Sequence, residues 1–523
     1  MAEKKSKQIV LAVIVWLVIL GAVGITYKQF IHPRLKKKLE VETSSESRYR
    51  YEVKMAHDSF SGYCILRSES VFNRLTAAGI RLVLQDDRAD YLGRIKALKN
   101  GEVDMAVFTV DALIKSSAQI KDFPATIVMI IDETKGADAI VAYKSLFPNV
   151  QSLNRADVRV VLTPNSPSET LARVIIAHFA LPSLPPNWWI EEDGAKAVYK
   201  KLKDTGTKEK LAYVLWEPYV SKALEDSNVH VLMDSSNITG YIVDVLVARR
   251  EYLRDNPGIV NTIVSAYFGA VGEYQQEPDG MVNLVLRDAE KYGEKINREQ
   301  AYKLVKGVQW KNQAENQAHL GLLTGQEKGL QHIEDIINQI TEVLVTTGAL
   351  TRDPLEGNAS RLFYDGVVRS LQSAEFQPGK KLDILKGVEI QPTDKGEIRE
   401  EPVLPGLNND AWDKLVPVGE VRVNPISFAR GTARINVESQ RVLDEQVRRL
   451  KAWPKYYLLV EGHARSNGDI EANTKLASER AQVVAQYLIS KGISKTRIRA
   501  VAITPSGSGG QYQTVSFIFY QRP

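Results

Sequence analysis

The chain has 523 residues, 44% of them hydrophobic and 25% charged, with 68 basic and 63 acidic side chains giving a net charge of +5. That is ample apolar material for two or three globular units, and the interspersed signs form no basic stripe interleaved with aromatics, which leaves nucleic-acid binding with little support. The single cysteine, Cys64, excludes an internal disulfide and a multi-cysteine zinc site, and the seven histidines lack metal-ligand spacing, so no cofactor or metal is expected.

Residues 1–28 read as a cytoplasmic tail and transmembrane anchor. The run Ile9–Ile25 carries no charge, follows Lys4, Lys5 and Lys7, and is just long enough to cross a hydrocarbon core. A cleaved signal peptide is the competing reading, but its apolar region would be shorter, and GAVGITY is a poor cleavage site. Lys28, Arg34 and Lys36 to Lys38 make the far flank as basic as the near one, so flanking charge alone does not set the orientation. Residues 29–50, basic and then Ser/Glu-rich, read as a spacer.

Residues 51–378 form the largest unit, and here strand and helix patterns alternate. RLVLQDD reads as a strand, and ADYLGRIKALKNG as an amphipathic helix with Leu92, Ile95 and Leu98 on one side and Gly101 as its stop. DMAVFTV, ATIVMIIDE, ADAIVAYKSL, VRVVLTP, KLAYVLWEP and DVLVARREYL continue the strands, with DALIKSSAQI a helix among them. Such alternation predicts a parallel, doubly wound sheet with its ligand beyond the carboxyl ends of the strands. ASRLFYDGVVRSL, amphipathic through Leu362, Val367 and Leu371, is expected to close the unit with a helix. In Asn165–Glu169, Ser166 reads as an N-cap, Pro167 as the first helical residue and Glu169 as the far side of a capping box. Cys64 has no visible histidine partner and reads as a small buried hydrophobe.

Four phrases narrow the fold. LKNGEVDMAVFTVDALI, DETKGADAIVA, TPNSPSETLARVIIAHFAL and LAYVLWEPYVSKAL stand in the order found in nitrate/sulfonate/taurine-type periplasmic solute-binding proteins, which this unit resembles. The resemblance implies an α/β, two-lobed type II periplasmic-binding fold and a small oxyanion, sulfonate or related organic solute as ligand. It also implies contacts from Asp58, Ser59 and Ser61 after the first strand, from Thr109 at the end of DMAVFT, and from Ser166 and Ser168 at the helix start. At that start, free backbone N–H groups would face an oxyanion. Trp216 and Glu217 end a second-lobe strand, where an aromatic and a carboxylate suit an amine or polar organic ligand, or else the Trp simply packs in the hinge. Asp138 reads as a capping or hinge residue rather than a contact. No enzymatic role is expected.

Residues 379–411, rich in Pro, Gly and charge, read as a linker, and 412–523 as a second α+β unit. There a strand-like NPISFARGTARI leads into a helix, and LLVEGHA is followed by GDIEANTKLASERAQVVAQYLISKGISKTRIRAV. Gly462, His463, Gly468, Asn473, Leu476, Arg480, Ala481, Gly492, Ile493, Arg497 and Ile498 stand in the order and spacing of the OmpA-like peptidoglycan-binding domain, which this segment resembles. The resemblance implies peptidoglycan as a partner, with His463, Asn473 and Arg480 near the wall peptide. A zwitterionic ligand end needs an acceptor for its ammonium and a guanidinium fork for its carboxylate. Arg480 supplies the fork, but Arg465 stands where the family has an aspartate. Asp469 is the nearest substitute acid.

Together these readings imply a single-pass inner-membrane protein whose body lies in the periplasm, either delivering a solute to an ABC permease or sensing it. A scaffold between membrane and wall that takes no ligand is the alternative.

Overall fold

The computed structural model describes residues 49–323, 330–371, 397–399, 403–429, 431–464, 466–503 and 515–523. The expected anchor at Ile9–Ile25, nearly all of the spacer and most of the linker lie outside the described residues. Among the described residues no helix is long and apolar enough to cross a membrane.

The strand patterns read in the central unit each hold a strand, and Trp189–Glu191, Val229–Asp234 and Val308–Trp310 are three more that the sequence did not show. β1 (Tyr51–His57), β2 (Ile80–Asp86), β3 (Met105–Thr109) and β4 (Ala125–Thr134) lead up to β5 (Asp138–Tyr143). β6 (Arg159–Leu162), β7 (Trp189–Glu191), β8 (Leu211–Trp216), β9 (Val229–Asp234), β10 (Val243–Arg249) and β11 (Val308–Trp310) follow. They build two separate sheets rather than one, ordered β11-β4-β10-β3-β1-β2 and β7-β6-β8-β5-β9. Nor are the sheets purely parallel. β10 runs antiparallel to β3 and β4, and β5 runs antiparallel to β8 and β9. These are the first strands laid down after the chain passes from one sheet to the other, and each enters its new sheet reversed.

Each sheet with its helices is a lobe. The first lobe holds β1–β4 and returns at β10; the second holds β5–β9. The chain crosses between them twice, through Lys135–Ala137 and through Ser235–Ile242. Buried bonds knit the crossings together. Ser235 Oγ accepts from Gly136 N at 2.7 Å and from Asp138 N at 3.3 Å, and Glu133 accepts from Gly240 N at 2.7 Å. Glu133 also pairs with Lys135 at 3.3 Å and Lys311 at 3.0 Å. Burial alone would raise the Glu133 carboxyl, but the two ammonium groups outweigh it and hold it down at about 2.

Local signals explain the helix ends. Asp90 accepts from Gly93 N at 2.9 Å to start the helix Tyr91–Asn100, and Gly101, at φ 73°, ends it in the left-handed region. The buried face of that helix is Tyr91, Arg94, Ile95 and Leu98, whereas Leu92 is only half-buried. The expected closing helix is instead two short turns, Ala359–Arg361 and Gly366–Ser370, because Phe363 leaves the helix path to bridge to Ile127 on the edge of β4.

The C-terminal module is a four-stranded sheet, ordered β12-β15-β13-β14, with β12 Val416–Glu420, β13 Tyr457–His463, β14 Ile498–Ile503 and β15 Val515–Gln521. The helix Ile470–Ser490 makes the crossover between parallel β13 and β14, and Val437–Lys451 is the second long helix. The strand expected at NPISFARGTARI is absent from the described residues of that stretch, which carry only a bridge between Phe428 and Ile435. VPVGE, just before it, is the first strand. Leu404 and Leu407, at the end of the linker, pack with Trp412, Leu415 and Tyr457 of the module.

The module lies against both lobes. Trp453 contacts the rings of His178, Phe179 and Phe519 at 5.6–5.7 Å. Ala180 N donates to Glu420 O at 2.9 Å, and Thr239 N, in the second crossing, donates to Ala452 O at 2.9 Å. Arg449 pairs with Glu342 on the helix Ile333–Thr346, which packs on helices of both lobes.

Candidate functional site

Between the lobes lies a cavity of ≈ 500 Å³, in the size range of small-molecule pockets. The first lobe contributes Asp58, Ser59 and Ser61 from the turn after β1, Thr109 from the end of β3, and Asp244 from the start of β10. The second lobe contributes Asn165 and Ser166 from the helix start, Trp216 and Glu217 from the end of β8, and Asp138. All the expected contacts but one therefore line the same cleft. The exception is Ser168, which is fully buried behind the wall with its hydroxyl 3.5 Å from Asp138 Oδ1. Asp138, read in sequence as a hinge residue, occupies both places: it starts β5 directly after the crossing, and it faces the cleft.

The helix start departs from the expected anion cradle. Ser166 does cap it, accepting from Glu169 N at 3.4 Å, but the Glu169 carboxylate turns to Asn165 N at 2.6 Å instead of completing the box. Two N–H groups that an oxyanion would need are thus engaged, one of them by a carboxylate. That carboxylate also binds Lys115 of the first lobe at 3.2 Å and Arg173 at 2.6 Å. Burial opposes its charge, and the two cations prevail, holding Glu169 below the usual range.

The remaining walls are acidic and aromatic. Asp58 is 6% exposed and is balanced by Arg94 at 3.0 Å, which also binds Asp87 and donates to Val107 O at 2.6 Å. Asp244 receives the Tyr63 hydroxyl and lies across the strand pair from Asp132. Both carboxyls are fully buried. Neither Asp132 oxygen has a hydrogen-bond partner among the described residues, nor has Asp244 Oδ2. Burial pushes Asp132 up to about 8 and Asp244 well above its usual range, so a proton resides on the pair at neutral pH. Asp86, Asp193 and Glu294 add acid at the mouth, where Arg88 is the one cation among the lining residues. Glu217 accepts from Ser221 N at 3.1 Å and Ser221 Oγ at 2.9 Å, and Lys303 of the first lobe reaches Ser221 Oγ at 3.1 Å.

Sequence reading missed Asp132, Asp244 and Arg94. Each is a charge inside an apolar period: IVMIIDE, IVDVLVA, and the buried face Tyr91-Arg94-Ile95-Leu98. A charge in such a place demands a partner or a function, and that was the available clue. Cys64 is fully buried with its thiol pushed up by burial, an inert packing residue.

In the module, His463 Nε2 lies 2.8 Å from Ser516 Oγ, and Asn473 donates to Asn467 O at 2.8 Å. Arg480 is 2% exposed; its Nε donates to Thr432 O at 2.9 Å and its guanidinium lies 4.8 Å from the centre of the Phe428 ring. Arg465 lies outside the described residues. Asp469 caps the helix Ile470–Ser490, its Oδ1 accepting from Glu471 N at 2.9 Å and Ala472 N at 3.1 Å, and so is committed to another task.

Two lobes joined by two crossings around a cleft define a solute-binding-type fold, and a βαβ-containing four-stranded sheet follows it. The OmpA family model matches residues 427–513, which makes the C-terminal module an OmpA-like domain. A peptidoglycan-associated lipoprotein of Rhizobium meliloti (strain 1021) is 34% identical over 77 residues, 15% of this chain and 44% of that protein. One from Mesorhizobium japonicum is 31% identical over 92 residues, 18% of this chain and 52% of that protein. The chain thus spans about half the length of the curated relatives it matches. Among solved structures, the periplasmic aliphatic sulphonate binding protein SsuA from Escherichia coli is similar over 68% of this chain and 98% of its own, at 14% identity and a TM-score of 0.43. The ligand-binding component of an ABC-type import system from Staphylococcus aureus is similar over 61% of this chain and 98% of its own, at 13% identity and a TM-score of 0.44.

Proposed function

We propose that this chain is a solute receptor of the bacterial cell envelope, held to the inner membrane by Ile9–Ile25 and to peptidoglycan by its C-terminal module, with its body in the periplasm. The observation that carries the reading is the interlobe cavity, walled from both sides and spanned by two crossings. A ligand touching Thr109 and Asp244 on one side and Ser166, Asp138 and Trp216 on the other favours the closed form through contacts it makes only there. Peptidoglycan as a partner is supported by the names of the OmpA-domain relatives, and the membrane by the charge-free N-terminal run.

Sensing is favoured over delivery to an ABC permease, because a receptor fixed at both ends does not shuttle. The alternative, a scaffold that takes no ligand, draws support from the packing of the module on both lobes, which resists their relative motion.

Ligand-dependent thermal stabilisation of the full chain separates the two readings. A receptor gains melting temperature with ligand by mass action and loses that gain in Trp216→Ala, whereas a scaffold shows no response to any solute. For the wall contact, retention on purified peptidoglycan should fall in Arg480→Ala and rise in Arg465→Asp. Equal retention of all three forms would remove the module's proposed grip.

A further inference from the structure

Asp138 is 4% exposed, lines the cleft, and makes no ion pair among the described residues; its polar neighbour there is the Ser168 hydroxyl at the long distance of 3.5 Å. A buried carboxylate without a cation is costly to keep, so such groups are normally paired or hold a ligand. Across the cleft, Asp244 stands over a second buried carboxyl, Asp132, with which it shares a proton. The helix start that would welcome an anion has its Asn165 N–H taken by the Glu169 carboxylate, whose own charge Lys115 and Arg173 offset. Trp216 lines the same space, and an aromatic ring is a surface on which organic cations rest, whereas Tyr91 already carries Arg94 over its ring at 4.7 Å.

We propose that the ligand of this cleft is an organic cation bearing an ammonium or guanidinium group, held by Asp138 and Glu217 of the second lobe against the aromatic and acidic wall of the first. This rests on the receptor reading and replaces the oxyanion or sulfonate implied by resemblance. An anion entering the cleft would meet the carboxylates of Asp86, Asp193, Glu217 and Glu294, with Arg88 as the one cation among the lining residues. Closing the lobes on a cation instead gives Asp138 the partner it lacks. Burial pushes Asp138 up to about 7, so the carboxylate that receives the cation is lost as the pH falls below that value.

The test uses the full chain, with thermal shift followed by calorimetry, against two panels: ethylammonium, putrescine, choline and agmatine, and then nitrate, sulfate and ethanesulfonate. At least one cation is expected to stabilise the chain at pH 8 and to bind at least tenfold more weakly at pH 5.5. Asp138→Asn should weaken that binding tenfold or more while melting, unliganded, no lower than the parent. Glu217→Gln provides an independent variant expected to weaken it as well. Stabilisation by anions alone would overturn the cation assignment and leave the receptor standing. Cation binding undiminished in both variants would place the cation elsewhere and overturn it too. Silence from both panels would remove the assignment and the receptor together.

Discussion

Asp138 costs the unliganded chain stability, and the cost has a definite pH dependence. Its folded value, raised by burial to about 7, lies above the ordinary carboxyl value of 3.8, so the fold binds a proton that the unfolded chain releases. Stability contributed by that proton is full at low pH and is lost as the pH rises through 7. Every tenfold difference in proton affinity between the folded and unfolded chain is worth roughly 1.4 kcal/mol. Asp138→Asn keeps the shape and removes the charge, so it should melt higher than the parent at pH 8, with the gap closing towards pH 5. Thermal denaturation of both forms across that range measures it, and a gap independent of pH would mean Asp138 is not the titrating group. A substitution that stabilises the fold and weakens the ligand is what a functional charge produces. In sequence, GADAIV shows Asp138 as a capping or hinge residue at the head of a strand, not as a contact. That it faces a cleft depends on β8 and β9 flanking it, and no local pattern records which strands become neighbours. Thr109, Ser166 and Trp216 were legible because each ends or begins an element, where loops gather into a site.

Strands and helices were legible one by one, and their directions were not. β5 and β10 are buried on both faces and read as continuous apolar runs, a pattern that is the same for a parallel or an antiparallel neighbour. The reversal comes from the crossing segments, whose geometry is tertiary. NPISFARGTARI misled for the opposite reason: its alternation resembles a strand, yet Pro425, Gly431 and the contact of Phe428 with Arg480 make it a cover for the helix Ile470–Ser490. The OmpA-like motif was legible because its glycine answers a hard steric demand. At Gly462, a Cβ would lie 2.0 Å from Ala477 O, the backbone of the helix that crosses over β13. A backbone atom does not yield as a side chain does. Gly462→Ala must push helix from sheet, at a cost of roughly 1–3 kcal/mol, typical of overpacked cores. The expected result is a lower melting transition and faster tryptic cleavage within 457–503. An unchanged digestion pattern would show that the helix accommodates the methyl group.

At the scale of the whole molecule, the module and the cleft share the hinge. The module bonds to the second lobe at Ala180, to the second crossing at Thr239 and, through Arg449 and Glu342, to the helix Ile333–Thr346 that packs on both lobes. Rotation of one lobe against the other cannot leave all three undisturbed. Between them, Trp453 fills the space beside His178 and Phe179, and Gly419 lets the Phe179 ring approach to where a Cβ would stand at 2.7 Å. Burial, with Arg449 and Arg422 nearby, lowers His178 to about 3, so it packs as a neutral ring that accepts or donates to Tyr241 at 2.6 Å. If closing the cleft strains these contacts, ligand and module attachment are linked reciprocally: whatever loosens the interface alters ligand affinity by the same free energy with which ligand alters the interface. Trp453→Ala removes the largest interface side chain at a cost of roughly 3–5 kcal/mol. It should change the affinity of whichever solute the thermal screen identifies, although Trp453 does not line the cleft. Hydrogen exchange provides the reciprocal measurement. The amides of Ala180 and Thr239, protected now by Glu420 and Ala452, should exchange at a different rate when the solute is bound. Rates identical with and without solute, together with an unaltered affinity in Trp453→Ala, would show that the module rides on the two lobes without reading their state.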